Sequence, residues 1–297
     1  MPDDERLREA LLELETLRRR EAAALRESRA LYEALEGLTR ARDTAEVLER
    51  LIEQTGRAIG ADCVLVPVSR NAETRIEASD DPALIGTPLP GAARLMDKPR
   101  NVADLSDSPR WTPLAETLAG SRSLLSAPLN LGAGQRGAVV ALSARRAGFG
   151  ADERRMLARI AGLAEQTLNT LSLQSYNALL AQVIDGASSG VAIADARKPE
   201  RPLIFVNRAF ETLTGWHAEE VLGRNCRFMN AEPPESDLRR RLRDCVARNG
   251  SESFVLRNRR KDGSEFWNAL TLYPVLGEDG AAEYLVATQT DATDQVT

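Results

Sequence analysis

The chain has 297 residues, enough for two domains and connecting helices, and its 43% apolar and 28% charged residues are typical of a folded globular protein. The net charge of −5 argues against a general nucleic-acid binder. The acidic N-terminus and the lack of a long apolar run exclude a secretory signal and predict a cytoplasmic protein. One histidine and three widely spaced cysteines indicate neither a metal site nor a disulfide framework.

Residues 1–38 form the first predicted element, a long helix. Mostly apolar residues recur along it at every third or fourth position and form one stripe. The stripe is narrow and the other positions are strongly charged, which favours a coiled-coil seam in a homodimer. The alternative is one amphipathic helix packed on its own domain. The stripe consists of Leu7, Ala10, Leu14, Leu17, Glu21, Ala24, Ser28, Leu31, Leu35 and Leu38, with Glu21 and Ser28 as polar interruptions.

Residues 39–165 form the first predicted domain. The stretch "TAEVLERLIEQTGRAIG" predicts a helix that ends at Gly60, and "ADCVLVPVS" predicts a strand. After a loop-rich stretch, "RSLLSAPLNLGAGQRGAVVALSAR" predicts a β-hairpin, and "GADERRMLARIAGLAEQTLNTL" predicts a closing helix. This order predicts an antiparallel sheet flanked by helices. Together with "SLLSAPL" and the helix after "FGADERRML", it resembles a GAF domain.

The GAF-like region shows no ligand chemistry of its own. It contains no histidine, and it lacks the paired Asn-Lys and Asp-Glu pattern of cyclic-nucleotide-binding GAF domains. Cys63 lies within an apolar run, which favours a buried structural thiol over a sensor. We therefore expect a ligand-free domain for dimerisation and relay.

Residues 166–185 are predicted as a linker helix. The three-and-four spacing of the closing helix continues through them almost without interruption and ends near Gly186. A stiff helix can transmit a twist between domains, which a flexible tether cannot.

Residues 186–297 form the second predicted domain. Two strand-like runs, several short helices and three alternating strands joined by the turns "RKDG" and "GEDG" predict a five-stranded antiparallel sheet with helices over one face. This is the PAS arrangement, which encloses a pocket, and the fold class of the whole chain is therefore α+β. Within it, "GRNCRFMN" at residues 223–230, "LRNRRKDGSEFWNALTLYPV" and "VATQTDAT" resemble a LOV domain, the flavin-binding blue-light sensor of the PAS superfamily.

The resemblance implies FMN as the cofactor. In a LOV domain Cys226 would be the nucleophile that forms a reversible bond with the flavin C4a carbon after blue-light excitation, and Gln289 would be the switch at flavin N5. The short segment "AEPPESD" at residues 231–237 leaves no extra loop for an adenosine group, which favours FMN over FAD. The other implied cofactor-binding residues are Asn225, Arg227, Phe228, Asn230, Arg243, Asn258, Asn268, Leu270 and Leu272.

These residue types also suit a flavin on physical grounds. Amides at Asn258, Asn268 and Gln289 can satisfy both the acceptors and the donor of a flavin edge, and two guanidinium groups suit a phosphate. The family motif ends in Leu-Gln, whereas this chain has Met229 and Asn230. The polar contact of the shorter Asn230 can lengthen or pass through water.

The interpretation that follows is a dimeric blue-light photoreceptor. It signals through the linker helix to the GAF-like domain and the N-terminal helix, and so regulates a separate protein partner. No kinase, cyclase or helix-turn-helix signature is visible, so we expect a protein that is not an enzyme. Three alternatives stay open: a flavin-free scaffold for dimerisation and interaction, a flavoenzyme that uses NAD(P)H, and a sensory fragment of a longer signalling protein such as a histidine kinase.

Overall fold

The computed structural model of the chain describes residues 2–71, 73–132, 134–231 and 237–296. The chain divides into two compact units, residues 1–175 and 176–297, and each contains one five-stranded antiparallel sheet flanked by helices. The division falls within one long helix, in the stretch that the sequence predicts as the linker. The predicted α+β fold is thereby confirmed.

The first unit has a sheet with the strand order β2-β1-β5-β4-β3. The sequence predicted the second helix, the first strand, the hairpin and the long closing helix, whereas β2 and β3 carry no clear strand pattern. The helices are α1 (Pro2–Thr39), α2 (Thr44–Ile59), α3 (Thr112–Thr117) and the greater part of α4 (Ala151–Asp185), and the strands are β1 (Cys63–Arg70), β2 (Glu73–Ser79), β3 (Arg100–Val102), β4 (Ser123–Gly132) and β5 (Gln135–Ser143).

The first sheet is buried on both faces, which explains the unbroken apolar run in β1. Val64, Val66 and Val68 pack with α1, α2 and α4 in one core. Leu65, which lies between them, packs in a second core on the opposite face. Helix α2 ends where the sequence predicts, because Gly60 adopts the left-handed conformation with φ of 65°.

Helix α1 is exposed in its first part and packed in its last turns. Leu14 and Leu17 are 47% and 61% exposed, whereas Leu38 is fully buried in the core that contains α2 and α4. The side chains of Leu7 and Ala10 lie outside the described residues. Leu38 therefore belongs to the first unit and not to a dimer seam, while the seam along the exposed part of α1 stays a prediction.

The second unit has a sheet with the strand order β7-β6-β10-β9-β8, which confirms the predicted five-stranded antiparallel sheet. The two predicted turns join β8 to β9 and β9 to β10, with Gly263 and Gly280 at positive φ. The strands are β6 (Gly190–Asp195), β7 (Leu203–Val206), β8 (Glu252–Arg259), β9 (Glu265–Leu276) and β10 (Ala282–Asp291), and the helices are α5 (Arg208–Thr214), α6 (Ala218–Val221), α7 (Asp237–Ala247) and α8 (Thr293–Val296), with a 3₁₀ turn at Cys226–Met229.

The second sheet is buried on one face only. Along β8, Phe254, Leu256 and Asn258 point to the buried face, while the residues between them are exposed. The buried face packs with α5, α7 and the turn Cys226–Met229. None of the helices formed by the described residues combines the length and the apolar character that a membrane span requires.

Candidate functional site

A cavity of about 480 Å³ lies within the second unit, lined by the inner face of the sheet, by the turn Cys226–Met229 and by α7. This volume is in the range of small-molecule sites. All but one of the site residues predicted from the sequence line it. They are Asn225, Cys226, Arg227, Asn230, Arg243, Asn258, Asn268, Leu270, Leu272 and Gln289.

Three buried amides, Asn258, Asn268 and Gln289, form one hydrogen-bonded chain on the cavity wall. They lie on the adjacent strands β8, β9 and β10, whose antiparallel register puts all three on the inner face. Asn268 Nδ2 donates to Asn258 Oδ1 at 2.7 Å and to Gln289 Oε1 at 2.8 Å. Asn258 Nδ2 donates in turn to the Met229 carbonyl at 3.0 Å, which connects the chain of amides to the cysteine-bearing turn.

Asn268 Oδ1 is an unpaired hydrogen-bond acceptor among these three amides. It has no hydrogen-bond partner in the part of the chain that the structure describes, although Asn268 is only 1% exposed. A buried amide oxygen without a donor costs about 1–3 kcal/mol, so such an atom is expected to meet a donor on a bound molecule. With the amide of Gln289 beside it, this wall can recognise a planar heterocycle whose edge presents a donor next to an acceptor.

Asn225 holds the turn that carries the cysteine. Its Oδ1 accepts hydrogen bonds from Arg227 N and Arg227 Nε, both at 3.0 Å, as expected of a capping residue. Its Nδ2 donates to the Glu200 carbonyl at 2.5 Å, and the Arg227 guanidinium lies 3.4 Å from the Glu200 carboxylate. Asn225 therefore positions Cys226 as well as lining the cavity.

The thiol of Cys226 keeps its proton at neutral pH. The residue retains exposed surface, yet loss of solvation around its sulfur raises the thiol pKa, and a backbone hydrogen bond and the Arg227 charge offset this only in part. A protonated thiol is a poor nucleophile, because the thiolate is the reactive form. The sulfur therefore reacts only where another group takes up its proton.

The other two cysteines do not line the cavity. Cys63 is half-buried at the start of β1, and burial raises the pKa of its thiol to about 12. Cys245 is fully buried within α7. Both positions suit packing better than chemistry, which leaves Cys226 as the thiol of the cavity.

Four arginines, Arg201, Arg227, Arg239 and Arg243, line the cavity. The sequence predicted two of them, Arg227 and Arg243. Guanidinium groups give this wall a positive charge suited to a phosphate or a carboxylate. Residues 232–236, within the segment on which the preference for FMN over FAD rests, lie outside the described residues.

Phe228 is the predicted site residue that the structure does not bring to the cavity. Its ring packs edge-to-face on Trp216, with centroids 5.3 Å apart, and the Arg224 guanidinium lies 4.5 Å from its centroid. Met229 lines the cavity instead and is 3% exposed. The reason is the 3₁₀ geometry of the turn, in which residues three apart share one side, so Met229 lies on the same side as Cys226.

Several lining residues were missed in the sequence. Arg239, Leu242 and Val246 share one helix face of α7 with the predicted Arg243, and this spacing could have identified them. Arg201 lies just before β7, and nothing in the local sequence marks it as a cavity residue.

Two protein families match the chain. Residues 31–169 match the GAF domain family, and residues 188–294 match the PAS domain family. The chain combines a GAF domain with a PAS domain. The cavity, with Cys226 and the three amides, lies in the PAS domain.

Curated proteins similar to the chain include several named for their response to blue light. Blue-light-activated histidine kinase 1 of Erythrobacter litoralis is 42% identical over 106 residues, which are 36% of this chain and 29% of that protein. A blue-light-activated histidine kinase of Rhizobium johnstonii is 39% identical over 104 residues, 35% of this chain and 30% of that protein. A blue-light photoreceptor of Listeria monocytogenes is 33% identical over 117 residues, 39% of this chain and 46% of that protein. The chain thus spans less than half the length of each of these relatives.

These relatives correct one expectation from the sequence. The sequence predicted a protein that is not an enzyme, but the relatives from Erythrobacter litoralis and Rhizobium johnstonii are histidine kinases, which are enzymes. The prediction is therefore wrong, because it took the lack of a visible kinase signature as a sign of non-enzymatic function.

Proposed function

We propose that the PAS domain is a LOV-type blue-light sensor that binds FMN and uses Cys226 for a reversible photochemical bond. The observation that carries the proposal is the buried Asn268 Oδ1 without a donor, on the wall of the same cavity as a protonated cysteine. The motif at residues 223–230 and the similarity to blue-light-activated kinases and to a blue-light photoreceptor support the same function.

The chain of amides fits the pyrimidine edge of a flavin, which presents one N–H between two carbonyl oxygens. The flavin N–H would donate to Asn268 Oδ1, and the NH2 group of Gln289 would donate to a neighbouring carbonyl. The Asn258 NH2 group stays on the backbone carbonyls of Met229 and Arg257. Leu270 and Leu272 line the same cavity and would pack against the faces of the ring. The donors and acceptors of the wall therefore complement those of the cofactor.

The arginines fit the phosphate of FMN. Arg227 and Arg243 would bind it with paired N–H groups, and Arg201 and Arg239 add positive charge on the same cavity. Asn230 also lines this cavity, where its backbone forms an isolated bridge with Asn258. Its short side chain would reach the cofactor through water.

The chemistry divides between the cofactor and two side chains. When bound, FMN supplies the blue-light absorption and an electrophilic C4a carbon to which sulfur can bond. Cys226 holds its proton at Sγ in the dark, because desolvation of the sulfur raises the thiol pKa, and the thiol would give this proton to the flavin as sulfur bonds to it. Gln289 can offer either its oxygen or its NH2 group, so a rotation of its amide changes the hydrogen bonds of β10 with its surroundings.

The output of the sensor would pass through α4 to a homodimer formed along α1 and α4, which regulates a protein partner. Residues 166–184 of α4 contain no Asp, Glu, Lys or Arg, although about five would be expected in a chain with 28% charged residues. Leu173, Tyr176, Leu180 and Val183 are exposed on this stretch and follow the three-and-four spacing of a coiled-coil seam. An uncharged apolar stripe suits a second copy of itself, since it needs no opposite charge.

The test is the absorption spectrum of the purified chain supplied with FMN, recorded before and after blue light. We expect a flavin band that bleaches in light and returns in the dark, in the wild type and in Cys63→Ala but not in Cys226→Ala. Cys63→Ala is the matched control, because it removes a thiol outside the cavity. A chain that binds no flavin would favour the scaffold, and bleaching that survives Cys226→Ala would favour a flavoenzyme.

A second candidate for the whole protein is a blue-light-activated histidine kinase. The two kinase relatives favour it, although the chain covers only 29% and 30% of their lengths. The test is transfer of labelled phosphate from ATP to the protein at its full natural length, in the dark and in blue light. Light-dependent labelling that is lost in Cys226→Ala supports a kinase output, and a bleaching but unlabelled protein favours regulation of a separate partner.

A further inference from the structure

Asn207 is a buried amide that joins the end of helix α4 to the rest of the PAS domain. It is 1% exposed, and its side chain makes four hydrogen bonds. Its Oδ1 accepts from Val191 N at 2.7 Å and from Phe210 N at 3.0 Å. Its Nδ2 donates to the carbonyls of Ile184, at 2.8 Å, and Ser189, at 3.0 Å. An amide offers two hydrogens and two lone pairs on its oxygen, so the hydrogen-bonding capacity of this group is fully used.

Capping of α5 accounts for only part of this arrangement. Asn207 is the N-cap of α5, and a cap needs one oxygen that accepts from the N–H of Phe210, which Asp, Ser or Thr supply equally well. Only an amide also supplies two donors. One of them binds the Ile184 carbonyl in the last turn of α4, which also accepts a longer hydrogen bond of 3.3 Å from Ala187 N. Asn207 therefore tethers α4 in addition to capping α5.

The same amide lies beside the strand pair that contains Gln289. Gln289 pairs with Gly190 across β10 and β6, and the next residue, Val191, donates its N–H to Asn207. Gly190 is tightly packed, because a Cβ at this position would lie 3.0 Å from Phe210 Cα. A displacement of β6 at Gly190 therefore presses on the first turn of α5, which Asn207 caps.

We infer that Asn207 is a positioning residue that couples the backbone at Gln289 to the C-terminal end of α4. The coupling runs from the pairing of Gln289 with Gly190, through the N–H of Val191, to the tether on the Ile184 carbonyl. A change in the hydrogen bonds of the Gln289 side chain shifts β10 against β6. This shift alters the hydrogen bond from Asn207 to the Ile184 carbonyl of α4. The light dependence of this coupling rests on the proposed function, whereas the tether itself does not.

Two substitutions separate the tether from the cap. Asn207→Asp and Asn207→Ser both keep an oxygen that can cap α5, but they remove the amide NH2 group, which donates to the carbonyls of Ile184 in α4 and of Ser189. Asp also places a carboxylate oxygen against the Ile184 carbonyl. Thr214→Ala is the matched control, because it removes a buried hydroxyl that donates to the Phe210 carbonyl at 2.8 Å from the opposite end of α5.

The measurement is hydrogen exchange of the backbone amides of residues 181–187 in the flavin-loaded chain, in the dark and in blue light. For both Asn207 variants we expect about tenfold faster exchange in the dark, the order expected for loss of one net hydrogen bond. We also expect loss of the light-minus-dark difference of the wild type, with unchanged bleaching of the flavin band. Exchange within about twofold of the wild type in both variants, or the same effect from Thr214→Ala, overturns the inference.

Gln289→Leu gives a comparison that does not depend on light. If the wild type does not bleach, the proposed photochemistry fails, but the coupling can still be decided in the dark. We expect Gln289→Leu to change the exchange of residues 181–187 in the wild-type background and to leave it unchanged in Asn207→Ser. Equal effects of Gln289→Leu in both backgrounds would show that Asn207 carries no coupling.

Discussion

Replacement of Asn268 by Leu removes the central amide of the cavity wall while nearly keeping the size of the side chain. Two donated hydrogen bonds, of 2.7 and 2.8 Å, are lost, and Asn258 Oδ1 and Gln289 Oε1 become buried acceptors without a donor. Each such acceptor costs about 1–3 kcal/mol, but the substitution also removes one unpaired atom of the same kind, Asn268 Oδ1. The free energy of unfolding of the PAS domain should therefore fall by about 1–3 kcal/mol, the cost of one unsatisfied group.

The same substitution should weaken FMN binding about 10-fold, because the hydrogen bond from the flavin N–H to Asn268 Oδ1 is lost at about 1.4 kcal/mol. The assays are urea unfolding of the flavin-free chain, followed by circular dichroism, and titration with FMN. Leu270→Met is the control, because it changes an apolar group on the same wall and leaves the amides in place. Unchanged stability together with an FMN affinity within about twofold of the wild type would refute the reasoning.

Three further predictions concern other parts of the chain. Burial raises the pKa of the Cys63 thiol from 9.0 to about 12, so the stabilisation that the protonated thiol gives is complete below pH 9 and is lost towards pH 12; urea unfolding should show a steeper decline in the wild type than in Cys63→Ala, and equal declines would contradict this. Gly162→Ala, in open space on α4, should add about 0.5–1 kcal/mol of stability, whereas Gly190→Ala should lower the melting temperature in calorimetry, and the reverse order would contradict the packing. Leu180→Arg should give monomers in sedimentation, whereas Gln174→Arg, on the opposite side of α4, should leave a dimer; equal behaviour would exclude the seam.

The strands β8 and β9 of the PAS domain could be predicted because β8 alternates buried and exposed residues and both strands end at glycine-containing turns, with Gly263 and Gly280 at positive φ. The edge strands of the GAF domain could not. In β2 only Ile76 is fully buried, so its sequence resembles a polar loop. The strand β3 has three residues and pairs only with β4, so its existence depends on the neighbouring strand and not on its own pattern. Tertiary pairing determined both of these elements.

Strand geometry and motif resemblance were sufficient to predict most of the candidate site. The positions of Asn258, Asn268 and Gln289 follow from the two-residue period of strands. The sequence did not predict that Met229, rather than Phe228, lines the cavity. Which of the two side chains faces the cavity depends on the 3₁₀ geometry of a four-residue turn.

The tether of Asn207 could not be predicted either. The sequence shows a capping residue before a short helix, which indicates the bond to Phe210. The partner carbonyl of Ile184 lies 23 positions earlier, and only the folded chain brings the two together.

Burial of the Cys226 sulfur also bears on how long the thiol stays reduced. Oxidation by peroxide and exchange with disulfides both begin with the thiolate, so a raised pKa slows the first step of each reaction. The residue nevertheless keeps some exposed surface. A cysteine that lines a cavity and stays protonated resists ambient oxidants, because they find almost no thiolate to attack.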